Sequence, residues 1–197
     1  MRHLARFLEI DYKGRMYKVT PNELLIAPTD TQVRHFLSAI DRVDIRLYLG
    51  LLTTTLIRPD RLWLLRWMEV KDGFIHINEN VRTKNYRPNP IHPKLLPYLN
   101  NHGGPQDERV FPYRSNTSYR KTIQRARKLA CNNLNRSKLR DYAYNTMRKA
   151  GMDRDIVDWL AGHTLGIRAH YLADNVVSEY QKFVDYTERI DLMGTWA

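Results

Sequence analysis

The sequence predicts a mainly α-helical domain that carries one small antiparallel β-sheet. Apolar residues recur at helical spacing along most of the chain after residue 29, which favours helices. Residues 69–93 differ, because short β-type runs alternate there with turn residues. The length of 197 residues, of which 43% are hydrophobic, is enough for one well-buried core.

Eight helices are predicted from periodicity and from residues that begin or end helices. Pro59 suits a first helical position, because proline lacks the N–H that is unsatisfied there, and the helix that it begins is expected to carry Leu62, Leu65 and Trp67-Met68. Ser137 is expected to cap a helix that Gly151 ends, and Asp153 to cap the next one. The predicted helices begin at Asp30-Thr31, near Ile45, at Pro59, at Lys94, at Asn116, at Ser137, at Asp153 and at Val176, and the last extends to Leu192.

The predicted sheet lies between the third and fourth helices. Its strands are expected at Phe74–Ile77 and at 89–91, with a turn at Asp72-Gly73. Pro88 and Pro90 predict an edge position, since proline cannot donate a ladder hydrogen bond.

The N-terminal segment is predicted to be separate from the main domain. Residues 1–28 begin like the end of an amphipathic helix and continue as a turn-rich linker, which suggests the tail of a preceding domain. Residues 29–197 are expected to form the main domain and its C-terminal helix.

Positive charge is concentrated in one fifth of the sequence. The net charge is +11, and the stretch from Arg114 to Arg154 contains 12 Lys and Arg but only two Asp and Glu. Such a block favours a polyanionic partner such as DNA, although a solvated basic face is the alternative. The candidate DNA-binding residues are Arg120, Lys121, Arg125, Arg127, Lys128 and Arg136.

Several classes of protein are excluded or disfavoured by what the sequence lacks. It contains no glycine-rich phosphate loop, no HExxH and no CxxC motif, so neither a metal site nor a cofactor is predicted. The single cysteine, Cys131, excludes an intrachain disulfide and favours a cytoplasmic location. No apolar run is long enough to span a membrane.

Residues 139–163 have a distinctive order. Arg140 opens a helix, Ala-Gly151 follows, and a second helix ends in Leu-Ala-Gly-His163, with Tyr171 eight residues further on. This order resembles the catalytic motif of the tyrosine recombinase (phage integrase) family, and the amino-acid sequence is most similar to integrases of archaeal viruses and plasmids.

Two upstream segments extend the resemblance. Thr-Leu-Ile-Arg58 with the later Leu-Arg-Trp67 resembles the first motif of the family, and Val-Arg-Thr-Lys84-Asn resembles its catalytic hairpin. The resemblance implies the fold of a recombinase catalytic domain and site-specific DNA recombination without metal or ATP. It also implies an N-terminal DNA-binding domain, of which residues 1–28 are expected to be the tail and linker. The catalytic residues that it implies are Arg58, Lys84, Arg140, His163 and Tyr171.

The implied chemistry is physically consistent. A tyrosine with a pKa near 10 is only about one part in a thousand phenolate at pH 7, and nearby cations favour that form. Arg58 and Arg140 would clamp the phosphate oxygens, and His163 would add a hydrogen bond. Lys84 would protonate the leaving 5′ oxygen while Tyr171 forms a 3′-phosphotyrosyl link, which conserves the energy of the broken bond.

The sequence departs from the family motif at two positions. Ser137 stands three residues before Arg140, where the family usually has His or Lys. This departure leaves the assistant to the nucleophile unassigned, with Ser137 and Lys138 as candidates. Arg61 stands where the first motif usually has Glu.

Two other functions stay open at this stage. One is a catalytically weakened DNA-binding module of the same fold, and the other is an enzyme like a type IB topoisomerase. The expected partner is double-stranded DNA, with a homotetramer on DNA and a monomer possible without it. The helix at 176–192 could dock on a neighbouring protomer or on its own domain, and its residues Tyr180 and Tyr186 are interpreted as packing residues.

Overall fold

The computed structural model describes residues 28–77, 87–101, 103–111, 116–130, 134–163 and 172–196. These residues form eight α-helices and one three-stranded antiparallel sheet, which confirms the predicted fold class. The helices are α1 (Asp30–Ser38), α2 (Val43–Thr54), α3 (Pro59–Trp63), α4 (Leu96–Asn101), α5 (Asn116–Leu129), α6 (Arg136–Lys149), α7 (Arg154–Leu160) and α8 (Val176–Arg189). The strands are β1 (Val70–Lys71), β2 (Phe74–Ile77) and β3 (Arg87–Pro90). The predicted N-terminal tail lies outside the described residues, apart from residue 28.

The sheet confirms the role predicted for the prolines. Strand β2 lies between β1 and β3, and Ile75 is paired with Asn89 across the antiparallel β2–β3 ladder. Pro88 and Pro90 are therefore both on an edge strand, where a missing N–H leaves no central ladder incomplete.

Helices α6 and α7 each end just before a glycine of the motif in residues 139–163. Gly151 has a φ of 83° and Gly162 a φ of 78°, the left-handed region that glycine enters most easily. The residue after each glycine donates its N–H five residues back, from Met152 to Met147 and from His163 to Asp158. Both ends are thus Schellman motifs, which turn the chain back over the last helical turn.

Two helix boundaries differ from the prediction. Ser137 is not the cap of α6; it lies inside the first turn, and the side chain of Asn135 accepts the N–H of Lys138. Helix α3 ends at Trp63, although the spacing predicted a helix that continued past Leu65. It ends there because the next backbone segment pairs with residues 106–110 instead, through bonds such as the one from Val110 N–H to Leu65 O.

The buried apolar side chains form two clusters. The first cluster centres on α2 and takes residues from α1, β2, α4 and the C-terminal turn, including Leu49, Leu52 and Trp196. The second cluster is formed mainly by α6, α7 and α8, including Met147 and Phe183.

Helix α8 packs against its own domain. Its buried residues Val176, Tyr180, Phe183 and Val184 all belong to the second cluster. Beyond it, Trp196 packs against Tyr98 in the first cluster. Of the two arrangements left open by the sequence, the structure shows the one within the domain. None of the helices in the described part of the chain is both long and apolar enough to cross a membrane.

Candidate functional site

Arg140 is held in place by backbone carbonyls from two other parts of the fold. Its Nε donates to the carbonyl of Leu56 at 2.8 Å, and its Nη2 donates to the carbonyl of Ala161 at 2.8 Å. Leu56 follows α2, and Ala161 ends α7. The guanidinium therefore joins α6 to both neighbours in a fixed orientation, with two further N–H groups on Nη1 and one on Nη2 for a ligand.

Arg58 lies close to this guanidinium but is exposed. It is the residue immediately before α3, and its backbone carbonyl accepts the N–H of Leu62. Burial and the neighbouring positive charge of Arg58 lower the pKa of Arg140 from its ordinary value. Two like charges are thus brought together although they repel, which is the arrangement expected of a site that binds an anion.

His163 lies three residues beyond Leu160, the last residue of α7, in the same turn as Ala161. Its backbone N–H donates to the carbonyl of Asp158 at 2.9 Å, and its Nδ1 lies 3.2 Å from Oδ1 of Asp158. The Ala161 carbonyl held by Arg140 is two residues away along the chain. Arg140 therefore contacts the backbone two residues before Arg58 and two residues before His163.

Gly162 is required at this turn for a second reason. The guanidinium of Arg87, a buried residue on β3, lies so close that a Cβ at position 162 would collide with it. Any side chain at this position would displace Arg87 or the backbone that carries His163.

Polar contacts near the site join α6 and α8 to the end of α2 and to residue 92. We call the residues that make these contacts the seam: Thr54, Leu56, His92, Arg140, Tyr180 and Thr187. At the seam, Tyr180 donates its hydroxyl to the carbonyl of Thr54 at 2.7 Å, beside the bond from Arg140 to Leu56 O. Further along α8, Oγ1 of Thr187 lies 2.9 Å from Nε2 of buried His92.

Three tyrosines of α6 and α8 have hydroxyl groups that are hydrogen-bonded within the fold. Burial raises the pKa of Tyr180, and burial with a hydrogen bond to Asp30 raises the pKa of Tyr142. Donation to the carboxylate of Asp158 raises the pKa of Tyr144. Each hydroxyl thus ionises less readily than that of an ordinary tyrosine, and the interpretation of Tyr180 as a packing residue agrees with its burial. Tyr186 is half-buried and stacks with Arg189.

The positions that depart from the family motif have local explanations. Ser137 is exposed in the first turn of α6 and lies on the face of Arg140, because residues three apart are helix neighbours. Lys138 is two residues from Arg140 and does not share that face. Arg61 forms an ion pair with Glu69, so its charge is compensated within the connection from α3 to β1.

The basic residues of α5 divide by exposure. Lys121, Arg125 and Lys128 are exposed, whereas Arg127 donates to the carbonyl of Leu134 within the fold. Arg136 lies on α6, 3.5 Å from Asp60, and the side chain of Arg120 is not described.

Two of the predicted catalytic residues, Lys84 and Tyr171, lie outside the described residues. Among the residues that are described, no group of three or more His, Cys, Asp and Glu is placed to hold a metal ion.

Sequence reasoning missed Asp158, Tyr144 and Arg87, which all contact the turn of His163. The signal for Asp158 was present, because a glycine at position 162 predicts a Schellman motif that returns residue 163 to residue 158. No comparable signal pointed to Arg87, whose proximity depends on the packing of β3 against α7.

Comparison with known proteins supports what the geometry indicates. Residues 28–175 match the phage integrase family, which acts in site-specific DNA recombination through a tyrosine recombinase domain. No curated protein matches the chain. The match covers most of the chain, including both arginines and the turn of His163. The chain therefore belongs to the phage integrase family and has the fold of a tyrosine recombinase catalytic domain.

Proposed function

We propose that this domain cleaves and rejoins DNA at specific sites through a covalent 3′-phosphotyrosyl link to Tyr171. The observation that carries the proposal is the pair of Arg58 and Arg140. They come from separate parts of the chain, but Arg140 bonds the carbonyl of Leu56, two residues before Arg58, and the charge of Arg58 helps to lower the pKa of Arg140. Two adjacent guanidinium groups match the charge that develops on the non-bridging oxygens of a phosphodiester under attack.

The remaining roles follow from the chemistry of each side chain. Lys84 protonates the leaving 5′ oxygen, and His163 binds a phosphate oxygen. Tyr171 attacks phosphorus and becomes linked to the 3′ phosphate, while the 5′ hydroxyl leaves. Rejoining reverses these steps, so the reaction needs no ATP, cofactor or metal.

A covalent-trapping experiment tests the proposal. The substrate is a random-sequence pool of duplexes with a 5′ label on the cleaved strand and a nick a few nucleotides downstream, so that the released fragment diffuses away. We expect labelled protein on a denaturing gel in EDTA with the natural chain and with Tyr186→Phe. We expect none with Tyr171→Phe. An adduct that persists in Tyr171→Phe would contradict the choice of nucleophile.

A catalytically weakened DNA-binding module is the second candidate, and Ser137 favours it. This exposed side chain shares a helix face with Arg140 but offers neither the proton transfer nor the charge of His or Lys. A gain of adduct in Ser137→His would support this reading, and an unchanged rate would support assistance by Lys138 or another group. Relaxation of supercoils without recombination would instead indicate a topoisomerase.

DNA binding is proposed to involve the exposed cations of α5. Lys121, Arg125 and Lys128 can each contact a phosphate. Because these contacts are few, binding by this chain alone should be weak, and because they are electrostatic, it should fall steeply with added salt. Nanomolar binding that salt leaves unchanged would contradict this. We also propose assembly of four protomers on DNA in the cytoplasm, and an archaeal viral or plasmid origin stays a prediction from the resemblance.

A further inference from the structure

The carboxylate of Asp158 is the centre of a small polar cluster at the end of α7. Its Oδ1 accepts the hydroxyl of Tyr144 at 2.7 Å and lies 3.2 Å from Nδ1 of His163. Its Oδ2 lies 3.6 Å from Nε of Arg154. The Asp158 side chain is 15% exposed, whereas that of His163 is 56% exposed. The cluster therefore has a shielded anion on one side and an accessible imidazole on the other.

The contact between Asp158 and His163 is made by the backbone as well as by the side chains. The Schellman motif at Gly162 returns the N–H of His163 to the carbonyl of Asp158, so both residues are paired through main chain and side chain. Arg140 holds the carbonyl of Ala161 in the same turn. The ring is thus anchored to the helix that ends beside it and to the guanidinium that binds phosphate in the proposed function.

The charge state of Asp158 decides which ring nitrogen carries a proton. Burial acts to raise the pKa of Asp158, but the hydrogen bonds from Tyr144 and His163 outweigh it, and the net pKa is below its ordinary value. An ionised carboxylate only accepts hydrogen bonds. Nδ1 of His163 must then be the donor, and in the neutral ring Nε2 carries the lone pair.

We propose that Asp158 is a positioning residue, which holds His163 with its proton on Nδ1 and presents the Nε2 edge to the scissile phosphate. This rests on the proposed recombinase function. Nε2 then donates to a phosphate oxygen only when the ring is an imidazolium, whose charge is balanced by Asp158 on the opposite edge. Tyr144 steadies the carboxylate through its own hydrogen bond.

The tautomer of His163 tests the proposal without DNA. Histidine labelled with ¹⁵N in the intact chain is observed by long-range ¹H–¹⁵N correlation at a pH where the ring is neutral, and the signal is assigned by its loss in His163→Gln. We expect protonated Nδ1 in the natural chain and a shift toward protonated Nε2 in Asp158→Ala. Matched controls, Tyr144→Phe and Arg154→Ala, remove other contacts of Asp158 and should keep the Nδ1 proton.

A natural chain that carries the proton on Nε2, or an unchanged tautomer in folded Asp158→Ala, would overturn the proposal. The remaining histidine signals in the same spectra report whether each variant is folded.

Trapping of the DNA adduct supplies the functional readout. Asp158→Ala should slow adduct formation about tenfold, less than the roughly hundredfold loss expected for His163→Gln. The double variant should be no slower than His163→Gln alone, because Asp158 acts only through this ring. Losses that multiply would overturn the proposal. If the natural chain forms no adduct, the recombinase function fails, while the tautomer still decides the role of Asp158.

Discussion

The two apolar clusters of the domain differ in how they are joined to the site. The first cluster surrounds α2 with aliphatic and aromatic contacts, and Trp196 closes it from the C-terminal end. The second cluster is formed mainly by α6 to α8 and includes Leu56, and polar side chains of α6 and α8 donate to the backbone carbonyls of Leu56 and Thr54. The second cluster therefore does two things, since the contacts that hold it also orient Arg140.

The difference teaches that stability and chemistry are coupled at the seam and separable elsewhere. In the proposed function Arg140 serves both stability and chemistry, whereas exposed Arg58 serves the chemistry. His92 and Tyr180 belong to the seam alone. Substitutions in these four residues measure the coupling directly.

Arg140→Ala should have the largest effect, on activity and stability together. Removal of the clamp should lower the rate of adduct formation by about 10³-fold. The carbonyls of Leu56 and Ala161 would lose their donor, which should lower the free energy of unfolding by about 2 kcal/mol. Trapping assays and urea denaturation measure the two losses.

Arg140→Lys is the control for charge. It keeps the cation, but an ammonium group is not a planar fork that reaches both carbonyls, so activity should stay low. Full activity in this variant would show that the bidentate geometry is unimportant.

Arg58→Ala should separate chemistry from stability. We expect a roughly hundredfold slower adduct formation, because one phosphate donor is lost. The free energy of unfolding should change by less than about 0.5 kcal/mol, since the side chain is exposed. Lys149→Ala, an exposed cation at the end of α6, is the control and should leave both quantities unchanged. A large loss of stability in Arg58→Ala would place this residue at the seam.

His92 should make the seam sensitive to acid. Burial, with a smaller effect of Lys94, lowers the pKa of His92 from 6.5 to about 4 in the folded state. Between these values the unfolded chain binds a proton that the folded chain does not, so stability is complete above pH 6.5 and falls as the pH drops toward 4. The loss should reach about 3 kcal/mol.

Denaturation with urea at several pH values tests this, with His92→Gln as the comparison. The variant should be less stable at neutral pH but should lose less between pH 6.5 and 4. Parallel curves would show that other groups cause the acid sensitivity.

Tyr180→Phe should have the smallest effect. Loss of the hydroxyl leaves the carbonyl of Thr54 without this partner and should cost about 1 kcal/mol. Tyr98→Phe removes a hydroxyl at the edge of the first cluster but keeps the ring contact with Trp196, so it should change thermal stability little. Equal losses in both variants would contradict the polar character assigned to the seam.

Most helix boundaries could be predicted where one residue determines the local backbone conformation or caps the helix. Gly151 and Gly162 end helices because they occupy left-handed conformations, and Asp153 caps α7 by accepting from Asp155 and Ile156. The prediction was wrong at Ser137, because Asn135 is the better placed cap, and at Leu65, because its carbonyl accepts from Val110 across the fold.

The sequence by itself determined the fold class, the family motif and the two arginines, since these depend on periodicity, order and residue type. The tertiary structure alone decided what each residue contacts. Arg140 reaches carbonyls 84 and 21 residues away, and Arg87 fills the space that Gly162 leaves open. Sequence spacing carries no record of such long-range contacts, because they arise only when separate helices and a strand pack together.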